Sequence, residues 1–375
     1  MTQERSAKIG EPALRDLRAD DRRRGPFRVG ERVQLTDVKG RKYTVNLTDK
    51  GFFQSTRGNF RHSELIGKPE GTVIETEDGH RLLALRPLVS DFVLSMPRGA
   101  TVIYPKDAGQ IIHGADIFPG ARVFEAGLGS GALALSLLAA VGERGRLISA
   151  DVRPEFIEIA VGNVVSWYGE HPTQWTVREG DAAAVLADLE AQYLDAVVLD
   201  MLAPWEIVGS AAHALREGGV ICVYVATVTQ LSRVVEELRD SESFTEPIAT
   251  ESMVRSWHVD GLAVRPDHSM VGHTGFLVMA RRLALGSQQL KPTKRPAPAA
   301  EGEAAQWSDA RFEGTLAERE ISQKKLRKVR RDVAHRADVE ASGTSGPGAH
   351  SAEIRQRLQA ESEAKVRARL EANND

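Results

Sequence analysis

The sequence predicts an α/β fold: a mostly parallel sheet with an antiparallel last strand, preceded by a small β domain and followed by a charged tail. Three observations predict it. Between residues 94 and 284, short β-branched or apolar runs alternate with longer helical stretches, the pattern of right-handed crossovers and a sheet covered on both faces. From residue 26 to 93 the pattern is instead brief alternating segments separated by turn pairs, which implies a small antiparallel sheet or barrel-like domain. Beyond Leu285 large apolar residues thin out and charge takes over.

Residues 1–25 mix Arg, Asp and Glu with few large apolar groups and read as a flexible arm. In the β domain, residues 32–37 and 43–47 alternate, and Lys39-Gly40, Asp49 to Gly51 and Asp78-Gly79 mark turns. Strands are then expected at 122–126, 146–150, 196–200 and 220–226, and helices at 132–141, 154–168, 204–215 and 230–239. Residues 251–264 and 275–282 read as two strands joined by a loop, which sets the antiparallel finish. In the tail (285–375), residues 291–298 are linker-like and 343–348 form a second break. Two charged segments, 315–336 and 352–371, suit helices but carry too few large apolar residues for a core.

With 375 residues there is room for one large and one small domain. The net charge of −3 excludes a uniformly basic protein, so any nucleic-acid contact must come from local patches. A single cysteine, Cys222, excludes an internal disulfide framework and a cysteine-rich zinc site. The charged N-terminus lacks a secretory signal's apolar core, and no apolar run approaches the roughly 18–20 residues that cross a bilayer. A cytoplasmic protein without membrane association is the expectation.

The densest information lies in Val123-Phe-Glu-Ala-Gly-Leu-Gly-Ser-Gly-Ala-Leu133, a buried strand running into a glycine-rich turn that opens a helix. Gly127, Gly129 and Gly131 are spaced two apart, whereas a dinucleotide site prefers G-x-G-x-x-G. A turn of this kind can press its backbone against an adenosyl-amino-acid ligand, and Ser130, Ala132 and Leu133 offer N–H groups at the helix start. The plainer reading is that the glycines only let strand and helix pack. Asp151 closes the second strand, where a carboxylate can accept both ribose hydroxyls; it also suits a helix cap ahead of Pro154. Asp181 ends a third strand and fits either a hydrogen bond from the adenine amino group or an N-cap.

Asp200 ends the strand 195–200 and begins Asp200-Met-Leu-Ala-Pro-Trp205. A carboxylate there can accept a hydrogen bond from an exocyclic amine and stabilise a purine ring that turns cationic on methylation. Adenine N1 already carries a lone pair, so the chemistry asks for positioning more than for a strong base. Trp205 fits either base stacking or packing beside Pro204. Tyr104 precedes the helix ahead of the first strand and can reach over the same edge. His273 reads as a base or, more simply, as a histidine fixed in a loop. No cluster has metal-ligand spacing, and in-line methyl transfer from a sulfonium needs none.

Tyr104-Pro-Lys-Asp107, Glu125 to Gly131, Asp200 to Trp205, Tyr224-Val-Ala-Thr-Val-Thr-Gln230 and Val271-Gly-His-Thr-Gly-Phe276 together resemble the bacterial and archaeal tRNA (adenine-58-N1)-methyltransferase family over residues 26 to 283. The resemblance implies a Rossmann-like class I methyltransferase sheet and an N-terminal β domain. It also implies a homotetramer that transfers methyl from S-adenosyl-L-methionine to the T-loop. By the same resemblance Ser130 to Leu133 contact the cofactor, Asp151 holds its ribose, Asp181 lies near its adenine, Asp200 is the catalytic acid and Tyr104 flanks the target pocket. This chain has Ala150-Asp151 where the family usually has Tyr-Glu, and Phe156 where close relatives place His at a cofactor-binding position. The tail has no counterpart in the family.

A slightly acidic protein must hold tRNA by patches. Lys324-Lys-Leu-Arg-Lys-Val-Arg-Arg331 has six basic residues in eight positions, and Arg57, Arg61, Lys68 and the N-terminal arm are further candidates. Two other functions fit parts of the pattern: a class I methyltransferase acting on protein carboxylates or a small molecule, and a non-catalytic RNA-binding subunit. Neither needs Asp200 with Pro204 and Trp205.

Overall fold

The computed structural model describes residues 23–56, 58–290 and 323–342, with side chains of the last segment described to Ala334. Most of the expected arm, Arg57, the segment 291–298 and the charged segment 352–371 lie outside the described residues. The chain forms two compact units, the second of which runs from Leu88 to Ala334.

In the first unit, β1 (Arg32–Asp37), β2 (Lys42–Asn46), β5 (Val73–Glu75) and β6 (Arg81–Leu85) form an antiparallel sheet of order β2-β1-β6-β5. A separate hairpin, β3 (Phe52–Ser55) with β4 (Gly58–Arg61), shares its core. Alternation along β1 sends Val33 and Leu35 inward to meet Phe27, Leu47, Phe60 and Leu82. Arg86 is held by Glu31 at 2.7 Å and Glu70 at 3.1 Å.

The second unit carries the site. Its elements are α1 (Val89–Ser95), α2 (Pro105–Gly114), β7 (Arg122–Ala126), α3 (Ala132–Val141), β8 (Arg146–Asp151), α4 (Pro154–Tyr168), β9 (Trp175–Glu179), α5 (Ala182–Ala187) and β10 (Leu194–Leu199). A 3₁₀ turn (Pro204–Ile207) leads into α6 (Val208–Ala214), then β11 (Leu215–Val225), α7 (Val228–Asp240), β12 (Ile248–Thr250), β13 (Trp257–Asp260), β14 (Ala263–Pro266), β15 (Phe276–Arg281) and α8 (Gln323–Ser342), of which the part up to Ala334 belongs to this unit. The seven-stranded sheet has the order β12-β15-β11-β10-β7-β8-β9, with β15 antiparallel to β11, so the antiparallel finish holds. Two apolar cores cover its faces, one under α2, α3 and α4 and the other under α5, α6 and α7. Apolar runs such as β10 are buried along nearly their whole length for that reason.

Two expectations are corrected. Residues 251–264 are not one sheet strand: the neighbour of β15 on the side away from β11 is the short Ile248–Thr250, and β13 and β14 form a separate hairpin with exposed side chains. The cause is local, since Gly261 at φ +52° makes a two-residue turn that folds the segment on itself. In the tail, α8 does find a core. Leu326 and Val329 are buried against Ile159 of α4, and Val333 packs beside them. Spacings of three and four residues put these three on one helix face, and that stripe suffices for docking.

Candidate active site

Parallel pairing brings the carboxyl ends of β8, β7 and β10 side by side, with Ala126 opposite both Ala150 and Leu199. The chain past each end is stitched to its neighbour: Gly127 N donates to Ala150 O at 3.2 Å and Asp200 N to Ala126 O at 2.8 Å. Gly127 has φ +80°, and a side-chain carbon there would collide with the Asp200 carbonyl, so only glycine fits. Gly131, at φ +78°, is the N-cap of α3 and lies against Ala160 of α4.

Asp151 sits buried at the end of β8. Its Oδ2 accepts from Gly129 N at 3.1 Å, and Oδ1 accepts from Arg153 N at 3.1 Å and Arg153 Nε at 3.2 Å. The Arg153 guanidinium lies 3.9 Å from the centre of the Phe156 ring, so buried Phe156 supports an arginine rather than offering a polar group of its own. Ser130 is buried too. Its Oγ accepts from Gly99 N at 3.2 Å and its carbonyl accepts from Asn163 Nδ2 at 3.0 Å, while Ala132 and Leu133 belong to the core. Asp181 is the N-cap of α5, with Oδ1 accepting from Ala183 N at 2.9 Å and Ala184 N at 3.1 Å. That cap leaves Oδ2 for another partner.

Three carboxyls converge here. Glu125, which no sequence reading singled out, is 1% exposed, and burial pushes it up to about 8; Ser149 Oγ, donating at 2.6 Å, opposes the rise, and Asp200 and Asp151 add to it. Asp200 is partly buried. Burial raises it to about 7, with nearby Arg153 pulling it down and Asp151 pushing it up. No hydrogen bond to the Asp200 carboxyl forms among the described residues. An acid inside an otherwise apolar strand was the available signal for Glu125.

Tyr104 caps α2, with Pro105 opening the helix. Its hydroxyl, with Asp107 and Asp200, adds charge repulsion to that of Tyr224, whose phenol burial pushes up to about 12 although it donates to Thr274 O at 2.6 Å. Behind Tyr104 lies a network the sequence did not disclose. Lys106 Nζ donates to Asp107 Oδ1 (2.7 Å), Ser252 O (2.8 Å) and Thr274 Oγ1 (2.6 Å), and Thr274 Oγ1 donates to Asp107 Oδ2 (2.6 Å). It ties two distant loops to α2. His273 is fixed in the second of them, with Nδ1 2.7 Å from Glu251 Oε1 and Nε2 2.9 Å from Ala226 O, and both contacts raise its pKa. It is a structural histidine, not a free base. Trp205 is likewise packed, 6% exposed with Arg233 over its ring at 4.2 Å, so the stacking reading gives way to the packing one.

A glycine turn with no room for a side chain at Gly127, beside a buried acid that ends the next strand, defines a class I S-adenosylmethionine-dependent methyltransferase. Comparison with known proteins narrows the class. A family described as TrmI-like N-terminal matches residues 25–74, and one described as tRNA methyltransferase complex GCD14 subunit matches residues 82–263. The Thermus thermophilus tRNA (adenine(58)-N(1))-methyltransferase TrmI is 35% identical over 252 residues, covering 66% of this chain and 95% of the relative. The crystal structure of the tRNA (m1A58) methyltransferase TrmI from Aquifex aeolicus superposes with a TM-score of 0.61 at 25% identity, over 69% of this chain and all of that one. A SAM-dependent O-methyltransferase from Thermotoga maritima gives 0.65 at 26% identity, over 70% and 96%. The chain belongs to the tRNA (adenine-58-N1)-methyltransferase family.

Proposed function

We propose that this protein transfers a methyl group from S-adenosyl-L-methionine to N1 of adenosine 58 in the T-loop of tRNA, giving 1-methyladenosine. The observation that carries the reading is the Asp200 carboxyl, poised beside the glycine turn with no hydrogen-bond partner among the described residues. The turn fits the cofactor: a side-chain carbon built at Gly129 meets nothing closer than 3.8 Å, leaving space beside a buried acid. Asp151 would hold the ribose, backbone N–H groups from Ser130 to Leu133 the amino-acid end, and Asp181 the adenine amine. When bound, the cofactor supplies an electrophilic methyl carbon on a sulfonium.

Asp200 would accept a hydrogen bond from the adenine N6 amine, which aligns the N1 lone pair, and its ionised form would stabilise the cationic product ring. Tyr104 would border the target base. A T-loop adenine is normally stacked within the tRNA elbow, so the base must be extruded to reach this edge. The exposed apolar side chains of β13, β14 and their turn (Trp257, Val259, Leu262 and Val264) support self-association, and a cytoplasmic homotetramer is the assembly proposed. No described helix is long and apolar enough to cross a membrane.

The test is incubation with a tRNA transcript and S-adenosylmethionine, with the product mapped by reverse-transcription arrest. Arrest at adenosine 58 is expected; methyl incorporation without it sinks the assignment. Light scattering on the purified protein should return four copies of the chain.

A further inference from the structure

We propose that α8 is a phosphate-binding surface that grips the tRNA backbone beside the methyl-transfer edge. The inference rests on the tRNA reading above and names a part of the substrate site that the family match, which ends at residue 263, does not cover.

The helix is docked, not loose. Leu326, Val329 and Val333 face α4, and Arg330 Nε reaches Glu158 Oε2 at 2.9 Å. Position 162 of α4 explains the closeness. A glycine inside a helix costs about 1 kcal/mol relative to alanine, and any side-chain carbon at Gly162 would collide with Val333. α4 therefore gives up helix propensity where α8 crosses it.

Docking the apolar stripe turns the opposite face outward. Lys324, Lys325, Arg327, Lys328, Arg330 and Arg331 are all exposed, with Asp332 the one acid between Gln323 and Ala334. Arg330 is paired with Glu158, and Arg331 lies 3.8 Å from Asp332. Lys324, Arg327 and Lys328 have no ion pair or hydrogen bond among the described residues. At 1.5 Å per residue these three span about 6 Å, comparable to the spacing of neighbouring phosphates along a strand.

The location gives that charge a use. Glu158 is four residues past Pro154, about 6 Å along α4, and Pro154 follows Asp151 at the sheet's carboxyl edge. That edge carries the acids Asp151, Asp181 and Asp200, in a chain of net charge −3. A polyanion approaching it needs a cationic hold nearby, and α8 is such a hold. Contacts of this kind position the substrate without reading its sequence.

The test uses the full-length chain carrying Lys324→Gln, Arg327→Gln and Lys328→Gln, which touch neither core nor cofactor residues. tRNA-transcript affinity is measured against potassium chloride, with S-adenosylmethionine affinity and adenosine-58 methylation in parallel. Each lost phosphate contact removes roughly 0.7–0.9 from the log–log salt slope, so a fall of about 2–3 and at least about tenfold weaker binding at 0.1 M salt are expected. Cofactor affinity and kcat at saturating tRNA should stay at wild type. Lys324→Arg with Lys328→Arg should keep the wild-type slope; a loss equal to that of the glutamines would overturn a charge-based grip. If the wild type methylates adenosine 58 while the triple variant keeps its slope, this proposal alone fails, and the basic face is left to an acidic protein. A wild type that neither binds nor methylates tRNA overturns this proposal and the functional reading together.

Discussion

Replacing Asp200 by asparagine separates what its charge does for catalysis from what it does to stability. Asp200→Asn keeps the shape and removes the ionisation. In the folded protein burial moves the carboxyl from 3.8 to about 7. At 1.36 kcal/mol per pH unit, keeping it ionised opposes folding by up to about 4 kcal/mol, and by roughly 2–3 after allowing for its partial exposure. The sign follows from linkage. A folded pKa above the unfolded one means the native state binds more protons between pH 4 and 7, so wild-type stability falls as pH rises through that window. The asparagine variant lacks this loss. Urea unfolding at pH 4 should therefore find the two proteins alike, and at pH 8 the variant should be more stable by about 2–3 kcal/mol. Methyl transfer should move the other way, with kcat down by about 10²–10³ as the product cation loses its counter-charge, while calorimetry shows S-adenosylmethionine still binding. Parallel stability curves from pH 4 to 8, or an undiminished kcat, would refute the account of Asp200.

The remaining predictions rest on neighbouring contacts. Gly127→Ala should destabilise the fold by several kcal/mol, on the order of a severe steric clash, because the new carbon meets the Asp200 carbonyl; Gly129→Ala should cost only about 1–2 kcal/mol yet weaken S-adenosylmethionine binding, which paired denaturation and calorimetry will resolve. Ser149→Ala removes the donor to Glu125 and the acceptor, at 2.9 Å, of Trp175 Nε1. Urea unfolding should show a loss of about 2–3 kcal/mol, and an unchanged midpoint would contradict the buried network. Lys106→Met leaves Asp107 buried without its cation, so it should lose about 3 kcal/mol; adding Asp107→Asn should recover much of that in a double-mutant cycle.

The sequence was legible where one segment carries its own instructions. Periodicity and caps located α3 at 132–141 and α4 at 154–168 because strand-end glycines and Pro154 punctuate them locally. The glycine turn, Asp151 and Asp200 were legible for a related reason: chemistry at the end of a parallel strand sits on the edge that every such strand shares. The alternation of segment 251–264 suits a sheet strand, and only the Gly261-Leu262 turn marks it as a hairpin.

The sequence by itself determined the class of fold and which strand ends carry the glycine turn, Asp151, Asp181 and Asp200, since those follow from short-range patterning and a fixed strand direction. The tertiary structure alone decided the raised Glu125 and Asp200 carboxyls, the Lys106–Asp107–Thr274 lock and the seat of α8 on Gly162. Each depends on groups up to 171 positions apart, as Gly162 and Val333 are. Burial, charge proximity and close helix contact are properties of distance in space, which spacing along a chain does not encode.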